Sequence, residues 1–221
     1  PDEATMDHFL ASLADQAQAA DVLLIAGDYP QATGPYSTVS DILKTGLLNR
    51  RGFKSVSLAG HPEGHTKVDL AVIRQAQRDK VRLAVSQGLE VSLVTQFFFE
   101  SAPFARWASE LRQEGVPAHL VGGIAGPASI ATLFKFAMRC GVGPSVRALG
   151  AKPSTVFKLL GDHGPEKLVA ELAQLQAQQA NAISGLHLFC FGGFLRTCKW
   201  LHAVAQGHLQ VDVHGGFKVS T

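Results

Sequence analysis

The sequence predicts an α/β fold with a parallel sheet, and three observations predict it. Five short segments are apolar nearly throughout, as strands are when both faces of a sheet are covered. Helical patterns separate them, the alternation expected of right-handed βαβ units. Polar or glycine-rich signals fall where each apolar run ends, at Gly27-Asp28, Gly60-His61, Gln96, Gly126-Pro127 and Gly192-Gly193. That edge of a parallel (β/α) barrel carries the active site.

The strands are expected at Val22–Asp28, Val56–Gly60, Val91–Phe99, His119–Gly126 and Leu186–Gly193. Helices are expected at Val39–Asn49, Asp69–Gln87, Ala102–Glu114, Ala128–Cys140, Pro153–Leu160 and Glu166–Asn181, and the first residues read as a helix running into a strand. The first three strand-to-strand intervals suit single βα units, while the last has room for extra helices. A complete barrel takes roughly 250 residues, and this chain has 221 and five expected strands. Residues 1–221 are therefore expected to form a single (β/α)8 barrel domain, incomplete here, carrying strands 4–8, with about three βα units upstream. A doubly wound open sheet of five strands is the alternative.

Composition bounds the function. With 46% hydrophobic and 17% charged residues the chain is an ordinary globular one. The net charge is +2, and the densest basic group, Lys44 with Arg50, Arg51 and Lys54, lies around an expected helix-to-strand turn. Nucleic acid is not expected as a partner. The three cysteines, Cys140, Cys190 and Cys198, form no CxxC pair and sit in apolar segments, which predicts buried free thiols in a reducing, cytoplasmic setting. No apolar run approaches the roughly 18 residues of a membrane span, and "PDEATMDHFL" has neither a basic n-region nor an h-region. With no initiator Met, the chain is expected to be a fragment or a processed product.

Four segments carry candidate chemistry. In "LIAGDYPQATGPYSTVSDIL", Asp28 ends a strand, where it either tunes a bound cofactor or supports the turn. In "AGHPEGH", His61, Glu63 and His65 alternate with Pro62 and Gly64 on a loop, so they cannot share a helical face as HExxH ligands do; polar-ligand binding is expected rather than a metal. In "VGGIAGPASIATLFKFA" the glycines precede a helix, serving either an anion or close strand packing. No GxGxxG or GxxxxGK[ST] is present. In "VSLVTQFFFE", Gln96 interrupts an apolar run; unsatisfied and buried it would cost roughly 1–3 kcal/mol, so either the protein or a ligand must meet it.

Taken in order, "LIAGDYP", "AGHPEGH", "VTQFFFE", "GIAGPASIATLFKFA" and "GLHLFCFGG" resemble the successive strand-end motifs of the methylenetetrahydrofolate reductase family over about residues 1–195. The resemblance implies a barrel flavoprotein in which FAD, reduced by NADH or NADPH, passes hydride to 5,10-methylenetetrahydrofolate to give 5-methyltetrahydrofolate. It implies that Ala26, Gly27 and Asp28 lie along the cofactor, with Asp28 also beside the pterin. His61 and His65 would hold the flavin and Lys80 its phosphates. Gln96 would contact pterin and nicotinamide in turn, Phe136 would stack on either, Thr132 would face folate and Arg196 its glutamate. The family's general acid, a Glu on the first barrel strand, has no counterpart here. Ala26 replaces a common Arg, His61 a common Tyr and Thr132 a common Gln.

The small-molecule partner implied is thus a folate, with no membrane or nucleic acid and with a homo-oligomer allowed. Two other readings stand beside it: a phosphate- or metal-dependent barrel lyase or hydrolase, and a non-catalytic partial barrel.

Overall fold

The structure is a computed structural model that describes residues 2–26, 34–65, 68–142, 164–180, 182–213 and 215–219. Helix α1 (Glu3–Asp15) leads into β1 (Asp21–Leu24), followed by α2 (Val39–Lys44) and α3 (Leu47–Arg50). Then come β2 (Ser55–Gly60), α4 (Leu70–Ser86), β3 (Glu90–Thr95), α5 (Ser101–Gln113), β4 (His119–Ala125) and α6 (Ile130–Cys140). Helix α7 (Glu166–Gln178), β5 (Gly185–Phe189), α8 (Phe194–Ala205) and the strands β6 (Leu209–Val211) and β7 (Phe217–Val219) complete the described chain.

Strands β1 to β5 form one parallel sheet in the order β1-β2-β3-β4-β5, every neighbouring pair parallel. A doubly wound sheet reverses its strand order at a switch point; this order never reverses. The curled sheet with flanking helices is compatible with part of an α/β barrel. All five expected strands are present, but three end well short of expectation. The first stops at Leu24 instead of Asp28, the third at Thr95 instead of Phe99 and the last at Phe189 instead of Gly193.

The expected helix Val39–Asn49 is broken in two, because Gly46 takes φ 68° between α2 and α3. The segment Pro153–Leu160 lies outside the described residues. Helix α8 and the antiparallel β6–β7 pair are additions to the expected elements. Local signals set the helix starts: Thr38 and Asp41 form a reciprocal capping box on α2, and Asp69 and Ser129 cap α4 and α6 through their side chains.

The core lies on one face of the sheet. Val56, Leu58, Val91, Leu93, Leu120 and Ile124 pack there in one cluster with Leu43, Leu47, Val81, Phe104, Trp107 and Leu172 from the helices. The opposite face is less covered than the continuous apolar runs suggest: Leu23 is 42% exposed and Ile25 65%, and Val94, Val121 and Phe189 are half-buried. Two arginines of the basic group at the α3 corner pair with α1. Arg50 pairs with Glu3 at 2.9 Å, and Arg51 grips Asp7 through two nitrogens, Nε at 2.8 Å.

The glycines before α6 are packing residues. A Cβ on Gly123 would lie 2.3 Å from the Thr95 carbonyl oxygen, and one on Gly126 2.7 Å from Thr197 Oγ1. Their amides are already engaged, Gly123 N–H donating to Thr95 Oγ1 at 2.7 Å and Gly126 N–H to the Phe189 carbonyl at 2.9 Å. Close packing against Thr95 of β3 and Thr197 of α8 therefore accounts for Gly123 and Gly126. Gly123→Ala should destabilise the fold by about 1–3 kcal/mol in urea unfolding, the range for overpacking a filled core. Gly185→Ala, with no atom within 4 Å of the added Cβ, should be neutral or slightly stabilising in the same assay.

Candidate functional site

The motif "TQFFFE" resolves residue by residue at the end of β3. Thr95 is buried with 1% exposure, and its hydroxyl satisfies the Gly123 amide where the β3–β4 ladder gives out. Phe98 turns into the main core and stacks on Phe104 with ring centres 5.3 Å apart. Phe97 faces a separate aromatic cluster with Phe99, Phe189 and Phe191. Gln96 sits between them, the first residue past the strand. Its backbone N–H donates to the Gly60 carbonyl at 2.9 Å, and its side-chain Oε1 accepts from the Phe97 amide at 3.1 Å. Its Nε2 has no protein partner among the described residues, so the carboxamide is half-satisfied and its donor end is free.

The loop after β2 meets Gln96 in one crevice. His61, Glu63, His65, Gln96, Phe97 and Cys140 line it, with Pro62, Gly64, Phe98 and Val142. Its volume is about 10 Å³, enough for a single water. The His61 and His65 rings meet edge to face, centres 6.0 Å apart. Burial above all, with His65, Lys80 and Arg74 nearby, pushes the His61 imidazole down to about 4 from 6.5. His61 is therefore neutral at neutral pH, a donor at one nitrogen and an acceptor at the other.

The α4–α5 seam holds this loop in place. Arg74, on the first turns of α4, donates to the His61 and Pro62 carbonyls at 3.4 and 3.5 Å and pairs with Glu110 at 3.3 Å. One turn on, Gln77 Oε1 accepts from Trp107 Nε1 at 3.3 Å, leaving the buried Gln77 Nε2 unpaired among the described residues. Trp107 in turn lies against Gly60, where a Cβ would meet its ring at 3.0 Å. Arg78 closes the seam with both oxygens of Glu114 at 3.1 Å.

The remaining expected site residues scatter. Gly27 and Asp28 lie outside the described residues, and Ala26, the last described residue before them, is exposed. Lys80 is half-buried on α4; burial holds its ammonium below the usual lysine range. No ion pair of its Nζ with a described residue is present.

Thr132 is tied into the start of α6, its N–H donating to Ser129 Oγ at 3.2 Å and the two hydroxyls meeting at 2.8 Å. The Phe136 ring stacks on Phe191 of the same chain. Arg196 is exposed on helix α8, lining a separate cleft of about 920 Å³ with Lys199, Phe194, Leu195, Trp200, Glu166 and Pro127 among its walls. Trp200 Nε1 donates to Glu166 Oε1 at 2.8 Å across that cleft.

This cleft is what sequence reading missed. The signal was present in "FLRTCKWLHAVA", where Thr197, Trp200 and Val204 recur at helical spacing while Arg196 and Lys199 fall beside them. Cys140 and Cys198 are half-buried, whereas Cys190 is exposed, contrary to expectation. Among the described residues no three His, Cys, Asp or Glu side chains converge as a metal site, and no helix is long and apolar enough to cross a membrane. No protein-family model matches the chain.

The His61 environment gives the fold a pH dependence with a definite sign. Its folded pKa lies below its unfolded one, so the unfolded chain binds the extra proton between about pH 6.5 and 4. Stability should be full above pH 6.5 and fall as pH drops towards 4, by at most about 1.4 kcal/mol per pH unit. Urea unfolding across that window should show the slope in wild type and a flatter one in His61→Asn. An equal slope in the two proteins would place the titration elsewhere.

Proposed function

We propose that the chain forms part of a flavin-dependent (β/α)8 barrel oxidoreductase that reduces 5,10-methylenetetrahydrofolate to 5-methyltetrahydrofolate with NADH or NADPH. The observation that carries the reading is the meeting of His61, His65 and Gln96 in one crevice where β2 and β3 end. The motifs "AGHPEGH" and "VTQFFFE", which resemble that family's, thereby share a site instead of standing apart.

The donor chemistry of the described residues fits FAD. A neutral His61 offers hydrogen bonds to the edge of a polar ring, while the Nε2 of Gln96 offers one to the pterin or nicotinamide. Lys80, half-buried on α4, offers a cation for phosphates. The crevice at about 10 Å³ is too small to enclose the ring system, so His61 and Lys80 would hold an edge and the phosphates rather than surround the cofactor. FAD, when bound, supplies hydride chemistry that no side chain can.

This chain's own residues bind and orient. His61 holds its ligand without adding charge, since its proton is lost well below neutral pH. Gln96 keeps its oxygen on the Phe97 amide, which holds the carboxamide in one orientation before a ligand arrives. Pre-set donors of this kind reduce what must be ordered on binding.

Purified protein should take up FAD and turn yellow, and NADH or NADPH should bleach the flavin absorbance. A folded protein that takes up no flavin sinks the reading. Gln96→Leu should change stability by no more than about 1 kcal/mol, the worth of one neutral hydrogen bond. It should leave flavin uptake intact and slow turnover of methylenetetrahydrofolate at least about tenfold, the cost of one lost contact of 1.4 kcal/mol. Lys80→Met should instead weaken FAD retention during gel filtration with little change in its affinity for riboflavin, which carries no phosphate.

A further inference from the structure

We propose that the cleft along α8 binds a second small molecule, an organic anion with an apolar body and a single acidic end. Its volume of about 920 Å³ is that of a ligand pocket, whereas the crevice at about 10 Å³ has room for one water. The two share no lining residue. Arg196, Lys199, Trp200 and Ala203 recur at i, i+3, i+4 and i+7, so one stripe of α8 forms a wall of the cleft. Glu166 of α7 and Val219 of β7 line it from other elements.

Charge selects the acidic end of the guest. Arg196 and Lys199 lie one turn apart, both are exposed, and neither forms an ion pair with a described residue. Among the described lining residues the one carboxylate is Glu166, whose Oε1 already accepts from Trp200 Nε1 at 2.8 Å. Two unpaired cations thus face one engaged carboxylate. Apolar surface selects the body. The Glu166 bond fixes Trp200, which is 9% exposed, while Phe194 and Leu195 stand 75% and 68% exposed at the same cleft. A neutral apolar guest would leave the cations unanswered, and an inorganic anion would leave Phe194 and Leu195 in water; an amphipathic anion answers both.

Fluorescence titration of the full chain with anilinonaphthalene sulfonate, and with N-phenyl-naphthylamine, the same body without the acid, tests the site. Wild type should bind one equivalent of the sulfonate at least about tenfold more tightly than the neutral probe, the factor of one charge-assisted contact. Arg196→Gln/Lys199→Gln should remove that preference and keep the neutral probe's affinity. Phe194→Ser/Leu195→Ser should weaken both probes. All four side chains are exposed, so these variants should keep the fold. Equal wild-type affinity for the two probes, or a preference that survives Arg196→Gln/Lys199→Gln, overturns the proposal. Displacement of the sulfonate by folic acid also overturns it, because the cleft then belongs to the folate. A chain that binds neither probe and is a dimer by sedimentation, but a monomer as Phe194→Ser/Leu195→Ser, overturns it by assigning the cleft to a second copy. Probe binding needs no flavin, so this site and the crevice reading fail separately.

Discussion

The close approach of β3 and β4 at Thr95 and Gly123 is the constraint on which the site depends. Glycine is required at 123 because a Cβ would fall 2.3 Å from the Thr95 oxygen. With the two backbones that near, the Thr95 hydroxyl replaces a strand bond by accepting from the Gly123 amide. The regular ladder ends there, and the next residue, Gln96, is released from the sheet at the crevice. The three phenylalanines that follow then divide between two clusters, Phe98 into the helix-side core and Phe97 and Phe99 towards the aromatic cluster.

The other half of the crevice is held from the helix layer. Trp107 occupies the space left by Gly60, Gln77 fixes the indole, and Arg74 ties the backbone of His61 and Pro62 to Glu110. The exposed end of the Arg74–Glu110 pair limits it to about 1 kcal/mol or less. Its effect is geometric: the helix that follows the loop also sets the loop's position. Burial by the same layer keeps His61 uncharged.

Much of this was legible in the sequence, and the reasons are particular. Both-face apolarity located all five strands, since the pattern survives even where one sheet face is only half covered. The strand ends were harder. Asp28, Phe99 and Gly193 were read into strands because apolar runs continue past the points where Leu24, Thr95 and Phe189 end the pairing. Composition does not register the loss of a ladder bond. His61, His65 and Gln96 were found together because strand-end position is a topological property that periodicity reveals. Thr132, Phe136 and Arg196 were assigned by resemblance, and the partners they have, Ser129, Phe191 and the α8 cleft, depend on side-chain packing that no spacing rule contains.

The break at Gly46 has its consequence at the sheet's margin. By turning α3 away from α2, it aims Arg50 and Arg51 at Glu3 and Asp7, so α1 is fastened to residues that follow β1 in the chain. Among the described residues strand β1 has one neighbour, four paired residues and, beside its ladder, the bonds from Ser55 and Ser57 to Asp21. The α1–β1 unit is held by two ion pairs, by Leu10 with Met6, Leu13, Val22 and Leu24 packed on the core, and by one described ladder, whereas β2 and β3 are paired on both sides. Opening of that unit breaks one described ladder, where opening at β2 or β3 breaks two. Among the described strands the crevice between β2 and β3 would be one of the last parts to lose its shape.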